Sequence, residues 1–395
     1  MHHEEWIDAE LDELSNSGLM RRLHTVEGAG GKLRVGKKVI LNLASNDYLD
    51  LAHKPQVITA ARFLLAKAGS GAGASRLVTG SHPWHATLEA DLAAFKGYPA
   101  ALLFGSGYLA NIGIISAVVG RDDAIFMDRM AHASLVDAAI LSRATLHRFR
   151  HNDCDHLAAL LRRPTPRGAR KLVVTESIFS MDGDAAPLTE MAALADRYSA
   201  MLLVDEAHST GVFGRGGRGM VEEHHLENSV NLSMGTLSKA LGCYGGFVAC
   251  SQAMRDLLVN RARTFVYTTA LPPAVIGAAR GALDWILGHP KAGGVLLKRA
   301  AQLRSHLQAA GLNTGRSVSQ IIPVMIGDNR QTMSIATRLR AKGILVAAIR
   351  PPTVPNGTAR LRLSVTLAHT TADLEHVADA VIRAARSANV LSCAP

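Results

Sequence analysis

From residue 53 to about residue 285, short apolar runs alternate with helix-length stretches, and this alternation constrains the fold more than any other feature of the sequence. The runs occupy residues 124–127, 171–174, 201–204, 230–234 and 246–250, each bounded by turn residues. A strand that is apolar on both faces must be covered on both, which is what helices returning between parallel strands accomplish. The expected fold class is α/β, with a large domain built on a mostly parallel central sheet covered by helices and a smaller C-terminal α/β domain. Residues 1–52 read as an N-terminal arm, with an amphipathic helix (Trp6, Ile7, Leu11, Leu14) and a strand pair at 33–43. Residues 53–285 form the large domain and residues 286–395 the small one. The latter carries a long helix at 295–310, strands near 321–326 and 344–349, a break at Pro351-Pro352, a strand at 359–365 and a closing helix from Thr371.

A chain of 395 residues with 48% hydrophobic and 19% charged residues is not a disordered one. Its four cysteines, Cys154, Cys243, Cys250 and Cys393, make no close CxxC pair and are too dilute for a disulfide scaffold, so a reducing, cytoplasmic setting is expected. The first residues carry Glu4 and Glu5 where a signal peptide carries bases. Residues 97–120 hold no charge and reach membrane-spanning length, but Pro99, Asn111 and the glycines at 97, 105, 107, 113 and 120 mark a buried strand, turn and helix. The net charge of +10 asks for a partner, which could be nucleic acid, an anionic membrane or a polyanionic substrate. The basic stretch Arg162-Arg163, Arg167, Arg170-Lys171 contains prolines and no aromatics, so a solvated loop accounts for it better than a nucleic-acid surface does. Two glycine patterns, Gly214-Arg215-Gly216-Gly217-Arg218-Gly219 and Gly69-Ser70-Gly71-Ala72-Gly73-Ala74, lack the strand that a dinucleotide fingerprint must follow.

Open parallel sheets hold ligands beyond the carboxyl ends of their strands. Run 171–174 delivers Thr175-Glu176-Ser177, with Ser180 and Asp182 shortly after; run 201–204 delivers Asp205-Glu206-Ala207-His208; run 230–234 delivers Gly235-Thr236-Leu237-Ser238-Lys239. No charged residue follows Lys239 until Arg255. In such surroundings an ammonium loses hydration, its pKa falls and the free amine becomes a nucleophile or base. Taken alone, a lysine snorkelling from a helix start explains Lys239 as well. Asp205 narrows the choice, because a lysine joined to pyridoxal phosphate needs an anion at the pyridine nitrogen to keep the ring an electron sink. Gly105-Ser106-Gly107-Tyr108 stands between an apolar run and a helical stretch and offers backbone N–H groups to a phosphate, with Thr236 adding a hydroxyl. An ordinary tight turn is the other reading of those glycines. His132 sits at a strand-to-helix turn, suited to stacking on a ring, to binding a carboxylate or to a structural role.

With these residues in place, the sequence resembles the α-oxoamine synthases, pyridoxal-phosphate enzymes of the aspartate-aminotransferase type (fold type I). The resemblance runs from Asn42-Leu43-Ala44-Ser45-Asn46-Asp47-Tyr48-Leu49 to the final helix, and Ala348-Ile349-Arg350-Pro351-Pro352-Thr353-Val354-Pro355 with Gly357-Thr358-Ala359-Arg360-Leu361-Arg362 looks like the biotin-pathway member. It implies Lys239 as the Schiff-base lysine, Asp205 against the pyridinium nitrogen, His208 and Ser180 at the ring hydroxyl, and Gly107, Tyr108 and Thr236 at the phosphate. His132 would stack on the ring and share catalysis with Lys239 and Asp205. Thr268 and Thr269, in Tyr267-Thr268-Thr269-Ala270-Leu271-Pro272-Pro273, look like phosphate contacts supplied by the partner subunit, implying a homodimer with shared sites. Arg362 would take the amino-acid carboxylate, Thr353 would lie close to substrate, and either Arg21 or Arg22 would touch it. Arg350 is assigned the distal carboxylate of the acyl group because sister enzymes differ there. Asp50 replaces the family's usual glycine.

The implied activity is decarboxylative condensation of L-alanine with a pimeloyl thioester, carried on coenzyme A or on acyl carrier protein. Neither metal, nucleic acid nor membrane has a part in it. The nearest alternative is a sister synthase that joins glycine to an acetyl thioester.

Overall fold

The computed structural model describes residues 4–21, 23, 25–28 and 30–390; Arg22 and Cys393 lie outside them. Helix α1 (Glu5–Asn16) precedes a hairpin of β1 (Lys32–Val35) and β2 (Lys38–Asn42), turned at Gly36, whose φ of +58° suits glycine. Helices α2 (Pro55–Ala68) and α3 (Pro83–Lys96) each begin with a proline in the first turn, where a missing N–H leaves no bond unmade.

The central sheet comprises β3 (Ala100–Phe104), β4 (Ala124–Asp128), β5 (Thr145–Phe149), β6 (Lys171–Glu176), β7 (Met201–Asp205), β8 (Leu232–Thr236) and β9 (Gly246–Cys250). Its order is β3-β9-β8-β7-β6-β4-β5, parallel throughout except for β9, which runs antiparallel to both its neighbours. Uncharged residues 97–120 become β3, a turn and α4 (Gly107–Val118); α5 (Ala133–Ser142) follows β4. Strand β5 lies outside the expected runs for a physical reason. At the sheet edge Thr145-Leu146-His147-Arg148-Phe149 buries only Phe149 fully, so it needs no apolar run.

The chain divides into two compact units. One holds the central sheet with residues Asn46–Ser180 and Asp184–Leu297; the other joins the N-terminal segment, Met181–Gly183 and the segment from Lys298 onward. The N-terminal arm thus belongs to the same unit as the C-terminal strands β10 (Ile321–Gly327), β11 (Ile344–Leu345), β12 (Ala347–Ile349) and β13 (Ala359–Ser364). The strand expected at 344–349 is split: β11 pairs parallel with β2, whereas β12 pairs antiparallel with β13 in a different sheet. The closing helix runs Thr371–Arg386, capped by a reciprocal pair of bonds between Thr370 and Asp373. Among the described residues, no helix is long and apolar enough to cross a membrane.

The glycine pattern at 214–219 has a packing function. Glu206, fully buried at the end of β7, accepts from Lys96 Nζ at 2.5 Å, Ser233 Oγ at 2.8 Å, Val221 N at 3.0 Å and Ser209 Oγ at 3.1 Å, and Lys96 Nζ also donates to the Arg218 carbonyl. A Cβ on Gly219, at φ +109°, would stand 2.4 Å from Glu206 Oε1. The glycines let the loop close over a buried ion pair beneath the strand end that carries Asp205. Replacing Lys96 by Met removes the cation that faces buried Glu206, and urea denaturation is expected to show a loss of about 3–5 kcal/mol.

Candidate active site

Three strand ends and one helix start build the site. Ser106 caps α4, its side chain accepting from Leu109 N at 3.1 Å and its carbonyl from Ala110 N at 2.9 Å. The N–H groups of Gly107 and Tyr108, in the first turn, have no earlier helical carbonyl to reach, and both residues line the cavity. One turn further, Asn111 Nδ2 donates to Asp205 Oδ2 and to Ser134 Oγ, both at 2.9 Å. Asp205 Oδ1 accepts from Ala207 N at 2.9 Å. The carboxylate at the end of β7 is therefore held on both oxygens.

Lys239, just beyond β8, lies with Nζ 2.7 Å from His208 Nε2, and His208 Nδ1 is 2.6 Å from Tyr48 Oη. The Lys239 turn reaches this position because Gly242, at φ +63°, has no side chain: a Cβ there would meet the Ala52 backbone N at 2.4 Å. Thr236 Oγ1 donates to the Gly245 carbonyl at 2.9 Å and accepts from Ser238 N at 3.1 Å.

His132 is the N-cap of α5 and its Nδ1 accepts from Ser134 N at 3.2 Å, which leaves the proton on Nε2. Burial pushes its pKa down; the Asp205 charge opposes this and the Lys239 charge reinforces it. A neutral imidazole results, in the wall of the cavity. Glu176 is fully buried, and burial, with the neighbouring Asp205 charge, raises its pKa well above the usual carboxylate range. Its Oε2 accepts from Ser180 N at 3.3 Å.

Gly107, Tyr108, His132, Asp205, His208, Thr236 and Lys239 together line one cavity of about 220 Å³. Ser180 is buried and tied to that wall through Glu176. Thr268 and Thr269 are elsewhere, in a separate crevice with Arg76 and Gly105, and Thr269 bridges Ser75. Arg21, Arg350, Thr353 and Arg362 belong to the other unit, where Arg362 on β13 donates to Ser364 Oγ at 2.8 Å. A larger cavity of about 580 Å³ between α2, α3 and the helix Pro273–Gly288 is apolar, with Arg280 its charged member. Sequence reasoning gave no role to Asn111, Glu176 or Tyr48. The four-residue step from Gly107 to Asn111, which keeps both on one helix face, was the signal for the first.

Residues 38–381 match the family described as aminotransferase class I and II. The chain belongs to this family. Relatives include the 8-amino-7-oxononanoate synthase of Anaeromyxobacter dehalogenans, 49% identical with 94% of this chain and 93% of the relative covered, and that of Geobacter sulfurreducens, 47% identical with 98% and 99% covered. Among solved structures, a serine palmitoyltransferase from S. paucimobilis carrying PLP and myriocin superposes with TM-score 0.92 at 34% identity, covering 98% of each chain. An 8-amino-7-oxononanoate synthase from Francisella tularensis gives 0.77 at 27% identity, covering 88% of this chain and 98% of that one.

The cofactor of this aminotransferase-family chain is pyridoxal phosphate, and the cavity fits it. It offers an amine, a fixed carboxylate, a neutral imidazole and an open helix start. A Cβ on Gly107 would stand 3.5 Å from Thr236 Oγ1, in the space between the start of α4 and the end of β8. Asn111 Oδ1 is buried in the same wall without a hydrogen-bond partner, so the cavity asks for a polar guest.

The end of β4 is fixed separately. His151 bridges Asp128, at 3.1 Å, and Asp184, at 2.9 Å. Burial opposes its protonation, but the hydrogen bonds and charges of both aspartates outweigh burial and push its pKa up to about 10. Since this exceeds the value in the unfolded chain, ~6.5, the stabilisation is complete below that pH and is lost as pH rises through about 10. Denaturation of the native protein from pH 6 to 10 is expected to show a decline of up to ~5 kcal/mol, which His151→Gln abolishes.

Proposed function

We infer that this chain catalyses the 8-amino-7-oxononanoate synthase reaction of biotin biosynthesis, the decarboxylative condensation of L-alanine with a pimeloyl thioester. The observation that carries the reading is the coexistence of two devices in one chain that matches synthases over nearly its whole length. The first is the amine and carboxylate cavity. The second lies in the other unit, where Arg21 Nη2 donates to Thr353 Oγ1 at 3.3 Å and Arg350 donates to the Gly18 carbonyl. Burial, and then the Arg21 charge, push the Arg350 pKa below its ordinary value. Two guanidinium groups that repel each other gain from an anion between them, and the free carboxylate of a pimeloyl group is one.

Lys239 Nζ is the amine that would bond to the cofactor aldehyde, with Asp205 at the ring nitrogen, His132 on the ring face, His208 and Ser180 at the ring hydroxyl, and Gly107, Tyr108 and Thr236 at the phosphate. When bound, the cofactor supplies an electron sink for a carbanion at the amino-acid α-carbon. Asp205, held on both oxygens by Asn111 and Ala207, keeps its negative charge at the strand end. Lys239 Nζ takes the α-proton of L-alanine and returns a proton after carbon dioxide and the thiol have left. His132, neutral, presents an apolar face without adding charge beside the amine. Arg362 takes the amino-acid carboxylate.

Thr268 and Thr269 act across a homodimer. Support comes from their surroundings, because the segments joined by the Thr269 to Ser75 bridge also expose Leu77, Val78 and Tyr267, apolar side chains that a partner would cover. The setting is the cytoplasm, where the thioester carriers are found.

Lys239→Ala is expected to lose both turnover and the visible absorbance of bound cofactor; retained turnover would contradict the assignment. Arg350→Ala is expected to impair pimeloyl thioesters by roughly 10-fold or more, the loss of one charge-assisted hydrogen bond, while acetyl thioesters are spared. Equal losses on both thioesters would remove Arg350 from the acyl site.

A further inference from the structure

We propose that Tyr48 is a positioning residue that fixes the tautomer of His208, so that His208 Nε2 accepts a proton from Lys239. The proposal rests on the reading of Lys239 as the reacting amine. Tyr48 is fully buried, and its hydroxyl donates to Asn46 Oδ1 at 3.2 Å. A phenol has one proton to give. With the phenol proton directed to Asn46, the contact of 2.6 Å between Tyr48 Oη and His208 Nδ1 is assigned to the Nδ1 proton, with Tyr48 as acceptor. Neutral imidazole carries one proton, so Nε2 presents its lone pair, and Lys239 Nζ is 2.7 Å away.

An ammonium at Nζ can donate along that contact. The Nζ–H bond breaks, an Nε2–H bond forms, and the products are a free amine with its lone pair and an imidazolium whose Nδ1–H remains bonded to Tyr48 Oη. No proton leaves the site. The two turns that carry the ends of this chain of contacts are locked together. Asp47 binds Leu51 N at 2.9 Å and Ala52 N at 3.1 Å, and the Ala52 backbone is what Gly242 touches.

The test uses Tyr48→Phe, which keeps the buried ring and removes the hydroxyl. Nitrogen-15 spectra of histidine-labelled protein without cofactor are expected to show His208 as the Nδ1–H tautomer in the native chain and to shift toward Nε2–H in the variant. Attachment of pyridoxal phosphate to Lys239, followed by absorbance at neutral pH, is expected to slow about 100-fold, the low end of what a placed proton acceptor contributes, and to recover as pH rises. A native protein with His208 as Nε2–H overturns the proposal, whether or not the variant folds. So does a folded variant with an unchanged tautomer and pH profile. Failure of the L-alanine and pimeloyl assignment would alter neither reading, so the two claims fail separately.

Discussion

Glu176 and Asp205 are register partners at the ends of adjacent parallel strands, and Asp205 is paired in turn with Met234 on β8. Two carboxyl groups placed side by side in a buried wall oppose each other's ionisation. Asn111 and the Ala207 N–H bind both oxygens of Asp205. For Glu176, burial and then the Asp205 charge raise the pKa well above the usual carboxylate range. The cavity therefore presents a carboxylate held on both oxygens, with Lys239 and His132 in the same wall. Other features of the unit serve that arrangement. The Lys96 and Glu206 pair anchors the chain immediately after Asp205, and His151 anchors the strand that leads to His132.

Much of this was legible in the sequence because fully buried parallel strands must be written as apolar runs, and their ends are then marked by the first polar residues that follow. Asp205, His208, Thr236 and Lys239 all announce themselves in that way. Strand β5 does not, since an edge strand tolerates Thr145, His147 and Arg148. Tyr48 and Asn111 were hidden for another reason. Each acts through a residue distant in sequence, Tyr48 on His208 and Asn111 on Asp205, and such contacts exist only after folding. The N-terminal arm was similarly opaque, because its place depends on β2 pairing with β11, some three hundred residues later in the chain.

The charge excess of +10 gains a partial explanation. Arg21 and Arg350 lie close enough for one charge to depress the pKa of the other, and under the proposed reading an anionic acyl group would sit between them. Asp50 is a departure that the backbone accommodates: it takes φ +56°, a left-handed value that aspartate tolerates better than most side chains, and its N–H donates to the Asp47 carbonyl at 3.0 Å.

The account stands or falls on an amino acid being activated at Lys239 and joined to a dicarboxylic acyl group. The most direct measurement is the visible spectrum of cofactor-loaded protein on adding L-alanine and then pimeloyl-CoA, with carbon dioxide and free thiol counted together. The account predicts a change on L-alanine, a return toward the starting spectrum after the thioester, and equal amounts of carbon dioxide and thiol. A spectrum silent to L-alanine but responsive to glycine, with thiol released only from acetyl-CoA, would contradict it.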